Sequence, residues 1–293
     1  MSPAAVTDRV TPTVQALLAT ARQRCAGNRA VADDCGPLLA LALDVPRAWL
    51  LAHGEQRPDE AALARFDTLL ARRLAGEPMA YLRGRQGFWS LELDVTPDVL
   101  VPRPETERLV ELALARMGAS GRLVDLGTGS GAIALALASE RPNWKIVATD
   151  CSVAALAVAA GNAATLGLDV ELRHGEWFAP LAGERFDLIV SNPPYIAPDD
   201  PCLQADGVCR EPRSALTAAI GGVSDLAVIA AGARRHLLPG GWLLLEHGAD
   251  QGPAVRELLA TGGLTDIASH TDLAGRLRVT GGRLPWMEDA CAN

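Results

Sequence analysis

Apolar positions change their spacing along the chain. From Thr11 to about Gly76 they recur at i, i+3, i+4 and i+7, first as Val14, Leu17, Leu18 and Ala21, then as Leu63, Phe66, Leu69, Leu70 and Leu74. This predicts a small helical bundle over residues 1–77, with breaks at Gly27-Asn28, Gly36-Pro37, Val45-Pro46 and His53-Gly54, and with Pro58 in the first turn of a helix. From Phe88 to Val95 apolar and polar residues alternate, which predicts a strand that pairs with the stretch around Val99–Val101 across Thr96-Pro97-Asp98. That hairpin falls in a connector over residues 78–103.

Pro104 opens a helix with Glu105 and Glu107 in its first turn and Leu109, Leu112 and Ala113 on one face. Strands and helices then alternate through residues 104–293. Strands are expected at Leu123–Leu126, Ile146–Thr149, Val170–Arg173, Phe186–Ser191 and Trp242–Glu246, with two more at Leu264–His270 and Leu277–Thr280. Helices are expected at Ala132–Ser139, Val153–Leu166, Ser224–Leu237 and Ala254–Leu259. The pattern is α/β: a parallel sheet with helices on both faces, preceded by the helical bundle.

The chain has 293 residues, 49% of them hydrophobic, and at this size a core forms without disulfides or a structural metal. Its 27 basic and 35 acidic side chains give a net charge of −8, divided as +2 through residue 85 and −10 beyond it. This disfavours a long polyanion as the main partner, so no nucleic-acid partner is expected. The six cysteines include no C-x-x-C pair and no histidine at zinc spacing, so no metal is expected and the thiols point to a reducing, cytoplasmic location. No run approaches the ~18 apolar residues a membrane span needs, and no membrane partner is expected.

Asp125-Leu126-Gly127-Thr128-Gly129-Ser130-Gly131-Ala132 stands where the first strand of the sheet meets its helix, the usual seat of a nucleotide-type cofactor. Glycines there let a ligand approach the backbone and allow positive φ. Asp150 closes the second strand 19 residues after Gly131, where an acid can accept hydrogen bonds from ribose hydroxyls. Gly127, Gly129 and Ala132 also satisfy the dinucleotide pattern G-x-G-x-x-A, so a dehydrogenase remains open at this point.

The strand Phe186–Val190 runs into Ser191-Asn192-Pro193-Pro194-Tyr195. Two successive prolines fix φ and remove two donors, which leaves a rigid acceptor platform. The side-chain oxygen of Asn192 and the carbonyl of Pro193 can each accept one N–H of a planar amino group, and Tyr195 offers an aromatic face. The strand is the fourth of the sheet and neighbours the first, so both carboxyl ends border one crevice.

Taken together, Asp125–Gly131, Asp150 and Ser191–Tyr195 resemble the class I S-adenosylmethionine-dependent methyltransferases that modify planar amino groups. Gly76–Val95 (GEPMAYLRGRQGFWSLELDV), Val101–Glu107 (VPRPETE), Glu211–Leu216 (EPRSAL) and Leu243–Gly248 (LLLEHG) narrow the likeness. With these segments the chain resembles the HemK-type protein glutamine methyltransferases over nearly its whole length. The Asn-Pro-Pro-Tyr turn is shared with nucleic-acid adenine amino-methyltransferases, a reading the net charge of −8 opposes.

The resemblance implies a class I methyltransferase fold, an α/β, mostly parallel seven-stranded Rossmann-like sheet with helices on both faces, and methyl transfer to the side-chain amide of the glutamine in the Gly-Gly-Gln motif of class-1 peptide-chain release factors. It implies that Gly127, Thr128, Gly129, Ser130 and Gly131 lie along the methionine part of S-adenosylmethionine, Asp150 on the ribose and Trp177 on the adenine side. Asn192, Pro193, Pro194 and Tyr195 would hold the glutamine amide, with Asn192 also near the methyl group. Residues 1–77 would dock the protein substrate, and a monomer is expected. Glu176 stands where aspartate is commoner, and Arg210 where an aromatic residue is expected. Glu246 is a candidate loop-end carboxylate near the pocket, His247 a structural residue, and Arg103 and Glu105 are candidates to gate cofactor entry, with a simple helix-start role as the alternative for Glu105.

Overall fold

The computed structural model describes residues 11–286, and the chain parts between Arg83 and Gly84 into two compact units. Among the described residues the first unit holds α1 (Val14–Arg24), α2 (Arg29–Leu43), α3 (Arg47–Ala52), α4 (Glu60–Leu74) and α5 (Met79–Arg83). Side-chain oxygens of Thr13, Asn28 and Asp59 accept from the N–H groups of Ala16, Val31 and Ala62, capping α1, α2 and α4. Pro58 therefore lies ahead of the cap and outside the helix.

The break expected at Gly36-Pro37 is absent, because α2 runs through Pro37. A proline inside a helix costs about 3 kcal/mol. Cys35, Leu38 and Leu39 beside it are fully buried against Phe66 and Leu70, and burial of each large side chain returns roughly 1.5–3 kcal/mol. Packing outweighs the local breaker.

The second unit begins with a hairpin, β1 (Arg85–Phe88) against β2 (Leu91–Asp94). The strand expected over Phe88–Val95 is thus split at Trp89-Ser90, and its partner is Arg85–Phe88 instead of Val99–Val101. Trp89 adopts φ 56° and leaves the ladder. Its backbone N–H donates to Glu107 Oε1 at 2.8 Å and its indole N–H to Glu140 Oε1 at 2.8 Å, carboxylates 18 and 51 positions away.

A 3-10 turn at Pro104–Thr106 leads into α6 (Glu107–Leu114), so Pro104 opens a tighter turn and the α-helix starts three residues later. There follow β3 (Gly121–Leu126), α7 (Ala132–Glu140), β4 (Trp144–Asp150), α8 (Val153–Leu166), β5 (Glu171–His174) and β6 (Phe186–Ser191). The short turns α9 (Arg213–Leu216) and α10 (Ala219–Gly222) come next, then α11 (Ser224–His236), β7 (Leu237–Glu246), α12 (Gly252–Thr261), β8 (Thr265–Thr271) and β9 (Leu277–Arg283).

Seven strands form one sheet in the order β5-β4-β3-β6-β7-β9-β8, with β9 antiparallel to both neighbours and the remaining pairs parallel. Alternate strand residues feed two cores. Leu123, Ile146 and Leu188 pack with α6 and α7 on one face, and Val124, Val147 and Ile189 with α11 and α12 on the other. This is the Rossmann-like sheet expected from the sequence. Its strand order reverses direction between β3 and β6, which opens a crevice at their carboxyl ends.

Candidate active site

At that crevice lies a cavity of about 220 Å3, bounded by the β3–α7 loop, the ends of β4 and β6, and residues from Asp98 to Thr106. Gly127, Gly129 and Gly131 take φ of 74°, 57° and 84°. At Gly131 the left-handed φ of 84° itself favours glycine. Gly129 lines the cavity, and no atom lies within 4 Å of where its Cβ would stand, so the bare backbone is open to a ligand.

The loop is held from several sides. Asp150 Oδ2 accepts from Gly129 N–H at 2.9 Å and its Oδ1 from Ser152 N–H at 2.8 Å, which leaves each oxygen a further lone pair toward the cavity it lines. Asp125 is fully buried, and its Oδ2 accepts from the Thr128 hydroxyl at 2.6 Å. Burial pushes its carboxyl up to about 7, against that hydroxyl and the Ala134 N–H. Asn162, buried on α8, donates to the carbonyls of Ser130 at 2.9 Å and Asp94 at 3.0 Å and accepts from Asp94 N–H at 2.7 Å, tying the loop to β2.

Across the cavity, Ser191 donates to Leu126 O at 2.6 Å and clamps the end of β6 to β3. Asn192 follows, and its Nδ2 donates to Thr106 Oγ1 at 3.2 Å. Tyr195 donates from its hydroxyl to Glu246 Oε1 at 3.3 Å, while its carbonyl accepts from Gln251 Nε2 at 2.9 Å. Burial pushes the Glu246 carboxyl up to about 7, opposed first by the Thr106 hydroxyl, and the same burial raises the Tyr195 hydroxyl. Arg103, on the cavity wall, is paired to buried Glu211, whose other oxygen accepts from Val101 N–H at 3.1 Å.

Gly127, Thr128, Gly129, Ser130, Asp150, Trp177, Asn192 and Pro194 therefore share one cavity. Three residues singled out in the sequence stand elsewhere: Gly131 caps α7, Pro193 is buried, and Tyr195 turns to Glu246. Trp177, at φ 46°, also lines the cavity, and its six-membered ring would lie 3.2 Å from a Cβ on Gly127. Glu176 lines it too, beside Asp225, whose carboxyl burial raises with help from Glu176. His247 sits between Gly248 O and Thr280 Oγ1, each at 2.7 Å, as expected of a structural histidine, and burial lowers its pKa.

Four contributors had no signal in the sequence pattern: Thr106, Glu211, Asn162 and the carboxyl of Asp125 as a buried acid. Their partners lie 3 to 110 positions away, and nothing in periodicity marks such contacts. Only the presence of Thr106 within VPRPETE and of Glu211 within EPRSAL hinted at them.

A mostly parallel sheet in this strand order, with a left-handed glycine loop at its first crossover and a rigid Asn-Pro-Pro-Tyr exit from its fourth strand, is that of a class I methyltransferase, whose methyl donor is S-adenosylmethionine. Residues 16–84 match the family model described as PrmC N-terminal domain, and residues 100–206 the one described as Methyltransferase small domain. A release factor glutamine methyltransferase of Xylella fastidiosa strain Temecula1 is 52% identical over 277 residues, spanning 94% of this chain and 99% of its own. That of Vibrio cholerae serotype O1 is 48% identical over 276 residues, spanning 92% and 96%. A solved methyltransferase of Pyrococcus furiosus shares the fold, with 19% identity, a TM-score of 0.53 and coverage of 75% of this chain and 99% of that one. The chain belongs to the release factor glutamine methyltransferase family.

Proposed function

We propose that this enzyme transfers a methyl group from S-adenosylmethionine to the side-chain amide nitrogen of the glutamine in the Gly-Gly-Gln motif of class-1 peptide-chain release factors. The observation that carries this reading is Asn192, anchored through Thr106 on the wall of the same cavity as the glycine loop. The cavity fits the cofactor: Gly129 offers bare backbone, Asp150 offers free lone pairs for the ribose hydroxyls, and Trp177 an aromatic wall for the adenine.

S-adenosylmethionine supplies a methyl already activated on a sulfonium, so the protein's task is alignment. An amide nitrogen is a poor nucleophile because its lone pair is delocalised into the carbonyl. In this reading Asn192 Oδ1 accepts an amide N–H, which aims the nitrogen lone pair, perpendicular to the amide plane, at the methyl and offsets the positive charge the nitrogen gains. Alignment of this kind supplies about 7–11 kcal/mol in well-oriented reactions. Pro193 and Pro194 make the platform rigid, and Tyr195 anchors it to Glu246.

In this reading residues 1–77 dock the release factor, residues 78–103 connect them to the catalytic unit at 104–293, and the enzyme works as a cytoplasmic monomer without nucleic acid or membrane. Among the described residues no helix is long and apolar enough to cross a membrane. Incubation with a release factor and S-adenosylmethionine, followed by mass spectrometry of the peptide bearing Gly-Gly-Gln, tests the proposal. One added methylene on the glutamine is expected, and an unmodified glutamine sinks it.

A further inference from the structure

Tyr195 closes the Asn-Pro-Pro-Tyr turn, and one short stretch of chain holds it at both ends. Its hydroxyl donates to Glu246 Oε1 at 3.3 Å and its carbonyl accepts from Gln251 Nε2 at 2.9 Å, both from residues 246–251, which lead from β7 into α12. The rest of the Gln251 amide is engaged as well. Its Oε1 accepts from Gly248 N–H at 2.8 Å, and its Nε2 also donates to Gly221 O at 3.4 Å. One N–H on one side and two carbonyls on the other fix which way this amide points, since only its oxygen accepts and only its nitrogen donates.

The turn that carries Gly221 is strained. Ile220, Gly221 and Gly222 take φ of 53°, 63° and 84° in succession, a conformation a β-branched residue rarely adopts. Ile220 is exposed, so burial of its own side chain does not hold it there. At Gly222 a Cβ would stand 2.1 Å from Tyr195 O and 2.8 Å from Gln251 Nε2, so its bare backbone is pressed against the same carbonyl that Gln251 grips. Strain of this kind persists only where the surroundings over-determine it, and here they converge on the Tyr195 carbonyl. One residue further on, Ile196 N–H donates to Leu216 O and Ile196 O accepts from Ala218 N–H, each at 3.0 Å.

We propose that Gln251 is a positioning residue for methyl transfer, which fixes the exit of the Asn-Pro-Pro-Tyr turn and through it the place of Asn192 on the cavity wall. This inference rests on the proposed role of Asn192 toward the glutamine amide. Pro193 and Pro194 have no N–H to donate and a fixed φ, so the turn is stiff and its course is set at its two ends. Ser191 pins the entry to β3 through Leu126 O at 2.6 Å, and Gln251 pins the exit to the stretch after β7. Drawing one pin of a stiff turn moves the residue between them.

The test compares wild type with Gln251→Glu in glutamine methylation of a release factor. The substituted carboxylate still accepts from Gly248 N–H, but it has no donor for Tyr195 O and sets acceptor against acceptor. It is expected to lower kcat about 10- to 100-fold, since small misplacement of an aligning group has effects of that size. The Kd for S-adenosylmethionine and the KM for the release factor are expected to stay unchanged. Wild-type kcat, or a fall in kcat matched by an equal loss of cofactor affinity, overturns the inference, while methylation of glutamine by wild type keeps the functional reading intact.

A second readout needs no substrate. The chain has 2 tyrosines, Tyr81 and Tyr195, so tyrosine labelled with 13C at its carbonyl carbon gives one resonance for each. In Gln251→Glu the Tyr195 resonance should shift and that of Tyr81 should stay. An unshifted Tyr195 carbonyl overturns the inference even where no glutamine is methylated. Should Gln251→Glu fail to fold, Gln251→Met, uncharged and of similar length, takes its place with the same expectations.

Discussion

At the glycine-loop end of the cleft the restraints come from the loop and the two elements beside it: the Thr128 hydroxyl to the Asp125 carboxyl three residues back, Gly129 N–H to Asp150 across adjacent strands, and Asn162 on α8 to the Ser130 carbonyl. At the Asn192 end they join side chains remote in sequence, with Thr106 86 positions from Asn192 and Tyr195 51 from Glu246. The first end is built mainly by β3, β4 and the helices that follow them, with Asn162 adding a tie to β2, while the second draws on β6, β7 and the turn before α6. The cofactor end should therefore tolerate change at the substrate end, and catalysis should depend on both.

Asn192→Ala should break the comparison most sharply. It removes the acceptor that orients the amide, and loss of one such preorganised group costs about 100- to 1000-fold in kcat. Cofactor affinity, set at the other end and measured by calorimetry, should change little. A loss of cofactor affinity as large as the loss of kcat would show that the two ends are not separate.

Asp150→Ala should give the reverse pattern. Gly129 and Ser152 lose the acceptor of their N–H groups and the ribose loses its proposed partner. Hydrogen bonds to a charged group contribute roughly 1.5–3 kcal/mol, so the Kd for S-adenosylmethionine should rise about 10- to 100-fold. Saturating cofactor should recover most of kcat.

The smallest effect expected is on stability at Glu246. Its carboxyl is raised to about 7 in the folded state, above the ordinary value of about 4.3. As pH rises between these values the unfolded chain releases its proton first, so the folded state loses stability over that window. Glutamine does not titrate. The stability of Glu246→Gln relative to wild type, measured by urea unfolding, should therefore increase from about pH 5 to about pH 8. A gap independent of pH would remove the raised carboxyl from the account.

The same division explains what was legible in the sequence. Periodicity located β6 at Phe186–Ser191 and α8 at Val153–Leu166, because long apolar runs dominate local signals. It erred at Pro37, where packing of Cys35, Leu38 and Leu39 carries α2 through a breaker. It erred again at Trp89, whose two N–H groups are taken by Glu107 and Glu140. In the site, glycines and Asp150 announced themselves by spacing, since their geometry is local. Thr106, Asn162 and Glu211 did not, since their partners come from distant elements.

The planar group held against Asn192 is the central claim, and an adenine amino group has the same shape as a glutamine amide. Labelled S-adenosylmethionine offered to the enzyme with a release factor and an adenine-rich oligonucleotide in one reaction tests it directly. The label should appear on the Gly-Gly-Gln glutamine and not on the nucleic acid. Label on adenine, with the glutamine unmodified, would contradict the account.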